Sequence, residues 1–266
     1  MGIIVLTGAT GSPGVTTTAL ALALAWPTDV LLADCNRAPD QYLFAGFLRG
    51  MSGQHRGLGE VTNRHRQQQF APADLLDCCV PLTEPGEIQR SFLPGFVSLG
   101  AVQLFELVWP TLADAFAELS KAEVDVIIDA GRIQPAGLPP TLLACADQVA
   151  VVTRSSLTWL ASLRLYLPAL REQLEHTPAS ARPGLLVVDP DRPYSHREIA
   201  AQFGLPVWGQ LPRDDKSALA LAGEAELPGR SRLLARTSRL AAELRQQWQL
   251  ERELNRQVVT SGVSHD

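Results

Sequence analysis

The chain reads as an α/β protein of three layers, α/β/α, around a mainly parallel sheet, and two observations carry that reading. Short apolar runs alternate with longer helical stretches through most of the 266 residues. The first run, residues 3–7, is β-branched and continuous, as a strand buried on both faces requires.

The elements follow in order. A Gly/Ser/Pro/Thr loop leads into residues 17–26, where Ala and Leu alternate in a helix-forming segment stopped by Pro27. A second strand, residues 30–33, is closed by Asp34, so the start of the chain is a βαβ unit. Residues 37–69 are less regular. Within them 51–69 is rich in Gly, His, Arg and Gln, and reads as a mobile surface insertion with at most one helix. Apolar order resumes at 96–101, and 105–120 predicts a helix containing Pro110. Residues 124–128 form a strand ending in Asp129. Strands at 148–153 and 185–188 flank a helix over 157–176, in which Pro168 predicts a kink or a split.

Ser195 and Glu198 make a capping box that starts a helix ending near Gly204, before a last strand at 206–211. A brief helix to Ala222 and a long terminal helix over 231–258 complete the series. Neither a solenoid-length repeat nor a low-complexity linker divides the chain. The expectation is one domain, 1–258, with a frayed tail at 259–266.

Composition limits the partners. A net charge of -5 gives no global field toward a polyanion, so nucleic acid or anionic membrane would need a local patch. No apolar run reaches the ~18 residues of a spanning helix. No leader is visible at the start, and a cytoplasmic protein is expected. The four cysteines, Cys35, Cys78, Cys79 and Cys145, have no CxxC spacing and read as reduced, mostly buried thiols.

The informative segment is Gly11, Ser12, Pro13, Gly14, Val15, Thr16, Thr17 and Thr18, between a buried strand and a helix start. Glycines let backbone N–H groups point inward, and the helix dipole adds positive potential for an anion. Against the phosphate-loop pattern G-x-x-x-x-G-K-[ST], Gly11 takes the first position and Thr18 keeps the hydroxyl. Thr16 stands in place of the second glycine and Thr17 in place of the lysine. Asp34 and Asp129 each end a strand on the edge where α/β sheets bind ligands. Two carboxylates facing a Thr18 hydroxyl would suit a hydrated Mg²⁺.

These residues, with the strand Val30 to Asp34, the hydrophobic strand ending in Asp129, the stretch 146–153 and the segment 203–214, resemble the MinD/ParA family of P-loop ATPases, the deviant Walker A proteins. The resemblance spans nearly the whole chain. It implies a P-loop NTPase-like fold, ATP and Mg²⁺ as cofactors, the 11–18 loop around the phosphates, and Thr18, Asp34 and Asp129 near the metal. It places Pro212 and Asp214 beside the base, and Asp189 near an adenine-contacting position. It also implies protein partners, a possible homodimer and a role in cell division, chromosome partitioning or assembly.

Three departures argue against efficient turnover. The family's signature lysine falls at Ser12, its loop lysine at Thr17, and its hydrolytic Asp at Asn36, whose amide cannot serve as a carboxylate base. The leading expectation is a degenerate ATPase that binds ATP weakly, or without efficient turnover, and acts through protein partners. A pseudo-ATPase adaptor that holds no nucleotide is the alternative, and an active ATPase with a basic residue supplied from elsewhere is a third reading.

The basic run 54–69, with His55 and His65, reads as a solvated face, because no aromatic side chain interleaves it before Phe70. The terminal helix balances Glu243, Glu251 and Glu253 against Arg245, Arg252 and Arg256, which predicts packing on the domain, or on a partner, rather than on lipid.

Overall fold

The computed structural model describes residues 2–9, 14–40, 42–50, 55–84, 86, 88–177, 181–190 and 193–262, with 251–262 as helical backbone. In chain order the regular elements begin with β1 (Ile3–Gly8), α1 (Val15–Ala25), β2 (Val30–Asp34), a π-helix (Tyr42–Phe47), α2 (Gly57–Arg66) and a 3-10 helix (Pro72–Cys78). Then come β3 (Val80–Pro81), β4 (Arg90–Leu93), α3 (Leu99–Leu104), α4 (Trp109–Lys121), β5 (Asp125–Arg132), α5 (Pro140–Cys145) and β6 (Gln148–Arg154). The last elements are α6 (Leu157–Glu175), β7 (Arg182–Val188), α7 (His196–Phe203), β8 (Val207–Leu211), α8 (Asp215–Leu221) and α9 (Arg232–Gly262).

The strands form one sheet in the order β3-β4-β2-β5-β1-β6-β7-β8. Every pairing is parallel except the edge pair β3–β4. Successive side chains of a strand point to opposite faces, and the core divides accordingly. Ile3, Val5, Leu31, Val126, Ile128, Val149 and Val151 join the side chains of α2 to α7 on one face. Ile4, Leu6, Leu32, Ile127, Ala150 and Val152 join those of α1 and α9 on the other. The three layers expected from the sequence are those observed.

Helix α1 has no polar face because it has no solvent face: the sheet lies on one side and α9 on the other. Val15, Leu20, Leu22 and Ala23 are all buried, as are Leu233, Leu240, Leu244 and Trp248 of α9. Trp248 stacks on Trp26 with ring centroids 5.3 Å apart. The terminal helix thus packs on the domain, as its charge balance predicted. Buried Asp125 anchors that end of the molecule. Its carboxylate accepts from the Gly2 N–H (2.7 Å), Trp26 Nε1 (2.9 Å), Thr28 Oγ1 (3.0 Å) and Arg245 Nε (3.2 Å).

Several local expectations change. Pro110 lies in the first turn of α4 rather than inside a longer helix, where its missing N–H costs nothing, and the preceding residues form the separate α3. Pro168 does not split α6, which runs unbroken over 19 residues. Strand β4 was not foreseen. Segment 51–69 carries one helix, α2, whose Leu58 and Val61 are fully buried, so it is anchored in the core more firmly than its composition suggests. Residues 51–54 and the end of the tail, 263–266, lie outside the described residues. The capping box formed as expected: Ser195 N–H donates to Glu198 Oε2 (2.8 Å), Glu198 N–H donates to Ser195 Oγ (3.3 Å), and Gly204 closes α7 at φ +57°. The cysteines are free thiols; Cys35, Cys78 and Cys79 are buried and Cys145 is partly buried.

Candidate functional site

The carboxyl ends of β1, β2, β5, β6, β7 and β8 all open on one edge of the sheet, and the sequence-predicted site residues gather there. Gly14 begins α1 at φ +100°, a left-handed conformation that glycine adopts without strain. Gly11, Ser12 and Pro13, the first part of the expected loop, lie outside the described residues. Gly14, Val15, Thr16 and Thr17 line a cavity of about 340 Å³ together with Asn36, Asp40, Tyr42, Arg132 and Arg154.

At the lysine position, the Thr17 hydroxyl sits 3.4 Å from the Tyr42 phenol. Tyr42 donates in turn to the Ala218 carbonyl at 3.3 Å, so the phenol oxygen is left to accept from Thr17. A neutral hydrogen-bonded pair therefore stands where the phosphate-loop pattern puts a cation. The amide of Asn36 is equally committed. Its Oδ1 accepts the Ala38 N–H at 3.0 Å, and its side chain packs so closely on Gly131 that an added Cβ there would fall 2.1 Å from Oδ1. Gly131 is also at φ +63°, which leaves no other residue a comfortable place at that turn.

Asp34 and Asp129 are paired in register on the adjacent strands β2 and β5. Asp129 is fully buried. Its Oδ1 accepts the Gly131 N–H at 2.8 Å, while Oδ2 has no hydrogen-bond partner among the described residues. Burial pushes Asp34 well above the usual carboxylate range, the charge of Asp129 adds to that, and the Asn36 N–H opposes it. Burial also raises Asp129, to about 6, against the Thr16 hydroxyl and the Gly131 N–H.

An orphaned, fully buried carboxylate oxygen beside a second acid fits a hard cation. Among the described residues no group of three or more His, Cys, Asp or Glu side chains converges, so such a cation would retain waters, as Mg²⁺ commonly does. The Thr16 hydroxyl also lies within reach of Asp129 and favours its charged form. Thr18 is 3% exposed and belongs to a narrower space of about 60 Å³, lined also by Thr17, Arg154, Val188, Pro212, Arg213 and Asp214.

A third cavity, of about 640 Å³, brings Asp189 and Pro212 together with Arg213, Arg232, Arg236 and Arg239. Asp189 is held at φ +57°, its N–H bonded to the Leu211 carbonyl (2.9 Å) and its carbonyl accepting from Ser155 Oγ (2.5 Å). The Asp214 carboxylate caps two helices. It accepts from Ser217 N–H (3.2 Å) and Oγ (2.7 Å) in α8, and from the N–H groups of Arg232 (3.0 Å) and Leu233 (3.2 Å) at the start of α9. Gly14, Thr17 and Arg154 border both the first cavity and the narrow space, and Pro212 and Arg213 border both the narrow space and the third cavity. The three form one series from Asn36 to Asp189.

No family model and no curated protein sequence matches the chain. Solved structures do. A ParA family ATPase from Chlorobium tepidum is similar with a TM-score of 0.70 and 18% identity, over 91% of this chain and 98% of that one. The MinC:MinD cell division protein complex of Aquifex aeolicus follows at 0.67 and 13%, over 92% and 96%. An ATP complex of a McdA variant from Cyanothece matches at 0.66 and 19%, over 92% and 96%. The chain has the MinD/ParA-like fold.

Within the MinD/ParA-like frame, the structure brings Gly14 to Thr17 together with Asn36, joins Asp34 to Asp129, and sets Asp189 with Pro212. Polar residues of the first cavity that escaped the sequence reading are Asp40, Tyr42, Arg132 and Arg154. Arg154 could have been found, because it directly follows the apolar run of β6 and so lies on the same ligand-binding edge as the two strand-end acids. Tyr42 carries no comparable signal.

Proposed function

We propose that this MinD/ParA-like protein binds a nucleoside triphosphate along the series from Gly14 to Asp189, turns it over poorly, and acts in positioning or assembly through protein partners. The observation that carries this reading is the pair of substitutions at the phosphate end. Thr17 is bonded to Tyr42 and Asn36 to Ala38, so neither a loop lysine nor a carboxylate base is present there. Loss of the point charge weakens binding to terminal phosphates, and loss of the base removes the group that would orient an attacking water. Asp129 and Asp34, with the Thr18 hydroxyl and that of Thr16, would hold Mg²⁺, which would supply positive charge to phosphate oxygens. The loop backbone and the N-terminal end of α1 would hold the phosphates, and Pro212 and Asp189 would border the base.

Support for a nucleotide ligand also comes from fold neighbours, one of which is an ATP complex. Another neighbour is a complex of MinD with MinC, which supports partners and leaves a homodimer within the proposal. Calorimetric titration with ATP and Mg²⁺, followed by a turnover assay, tests the reading. Measurable binding with background turnover is expected. A folded protein that binds no ATP would leave the second reading, an adaptor whose site is closed; the narrowness of the space between Thr18 and Pro212, about 60 Å³, is the observation that favours it.

A further inference from the structure

The site has no lysine on its loop, yet it is not without a cation. Arg154 is the last residue of β6, which pairs with β1, the strand that leads into the loop. Its guanidinium carbon lies 5.2 Å from the centroid of the Trp159 ring. It borders both the 340 Å³ cavity at Gly14 to Thr17 and the narrow space that leads to Pro212. Nε of Arg154 is buried and has no hydrogen-bond partner among the described residues, and none of the ion pairs there uses this side chain. Arginine is always charged and carries five N–H donors in a planar fork. A buried, unsatisfied donor on such a group costs free energy unless an acceptor is supplied. Among the described residues no hydrogen bond or ion pair joins Arg154 to an acid of the site: Asp129 Oδ1 is bonded to Gly131, Asp34 Oδ1 to the Asn36 N–H, and Asp40 Oδ1, in the same cavity, to the Tyr42 N–H.

We propose that Arg154 is the phosphate-binding cation of this site, reaching from the end of β6 the oxygens that a loop lysine would reach from α1. The proposal rests on the nucleotide reading and sharpens it. The Trp159 ring covers one face of the guanidinium and leaves the N–H groups at its edge to bond a ligand in the cavity that Arg154 lines. The planar fork matches two oxygens of a phosphate, which a lysine on the loop would meet only as a point charge. Arg132, from β5 on the other side of β1, lines the same cavity.

The test is titration of the full chain with ATP and, separately, with inorganic tripolyphosphate, for wild type, Arg154→Gln, Arg154→Met and Arg154→Lys, each checked by thermal melt. Arg154→Met offers an unbranched apolar side chain to Trp159 in place of the guanidinium, so one uncharged variant remains readable if the other fails to fold. The expected result is a loss of roughly tenfold to a hundredfold toward both ligands in the uncharged variants, with partial recovery in Arg154→Lys. Equal affinity in wild type and a folded uncharged variant overturns the assignment of Arg154 and leaves the nucleotide reading standing. Tripolyphosphate binding that depends on Arg154, without ATP binding, keeps the assignment and refutes the nucleotide. Binding of neither ligand by wild type overturns both.

Discussion

Asp34 and Asp129 end neighbouring strands in register, and one oxygen of Asp129 is buried without a partner. Two acids placed so close inside a fold are held there against their own repulsion, which is the arrangement a bound cation relieves.

That pairing predicts an unusual pH dependence. Asp129 is raised to about 6 and Asp34 is raised as well, so each holds its proton more tightly folded than unfolded. Their contribution to stability is present below the ordinary carboxylate range and is lost as pH rises through about 6. Asp129→Asn keeps an oxygen for the Gly131 N–H and removes the charge. It should stabilise the metal-free protein at neutral pH by on the order of 2 kcal/mol, or roughly 4–8 °C in melting temperature. The gain should vanish in acid and shrink when Mg²⁺ is added. Coincident melts of wild type and variant at neutral pH would show that Asp129 carries no such penalty.

Steady-state ATP turnover should be near background. Thr17 and Asn36 both lack the required charge, and their side chains are engaged with Tyr42 and with the Ala38 N–H. Robust Mg²⁺-dependent hydrolysis, abolished by Asp129→Ala, would refute this expectation.

At the opposite end of the sheet, removal of Asp125 should cost more than removal of its partner Arg245. Asp125→Ala leaves the Gly2 N–H, the Trp26 indole and the Thr28 hydroxyl unsatisfied, and a loss of about 3–5 kcal/mol is expected. Arg245→Ala leaves the carboxylate three donors, and about 1–2 kcal/mol is expected. Urea denaturation of the two variants ranks them, and the reverse ranking would mean that Arg245 carries the anchor.

Strands were legible in the sequence where burial on both faces demanded aliphatic runs, as in β1 with Ile3 to Leu6 buried throughout. Strand β4 was not, because Arg90 and Ser91 are only partly buried at the sheet margin and break its apolar run to two residues. Position explains Pro110: the same residue ends a helix in its interior and starts one in its first turn. In the site, Asp34 and Asp129 were legible because strand-end acids follow from strand boundaries. Tyr42 was not, since it reaches Thr17 from a π-helix that no periodicity announces. At Thr16 the pattern marks only a missing glycine, and the interaction of its hydroxyl with Asp129 depends on the fold.

The last prediction joins the loop to Tyr42. Thr16→Gly with Thr17→Lys restores the glycine and the point charge of the phosphate-loop pattern, both of which act on ground-state phosphates. A charge-assisted contact to phosphate contributes about 1.5–3 kcal/mol, more than tenfold in affinity. Two opposing effects are set by the structure. The new lysine loses the Thr17–Tyr42 bond at 3.4 Å, a weak contact, and removal of Thr16 takes a hydroxyl from Asp129. The first costs little and the second raises Asp129 further, so ATP should bind more tightly while Mg²⁺ dependence steepens. Turnover should stay low, because Asn36 remains an amide bonded to Ala38. The measurement is ATP affinity against Mg²⁺ concentration for wild type and double variant, with thermal melts as the check on folding. A folded double variant with no gain in affinity would mean that the cavity of about 340 Å³ is not where terminal phosphates sit.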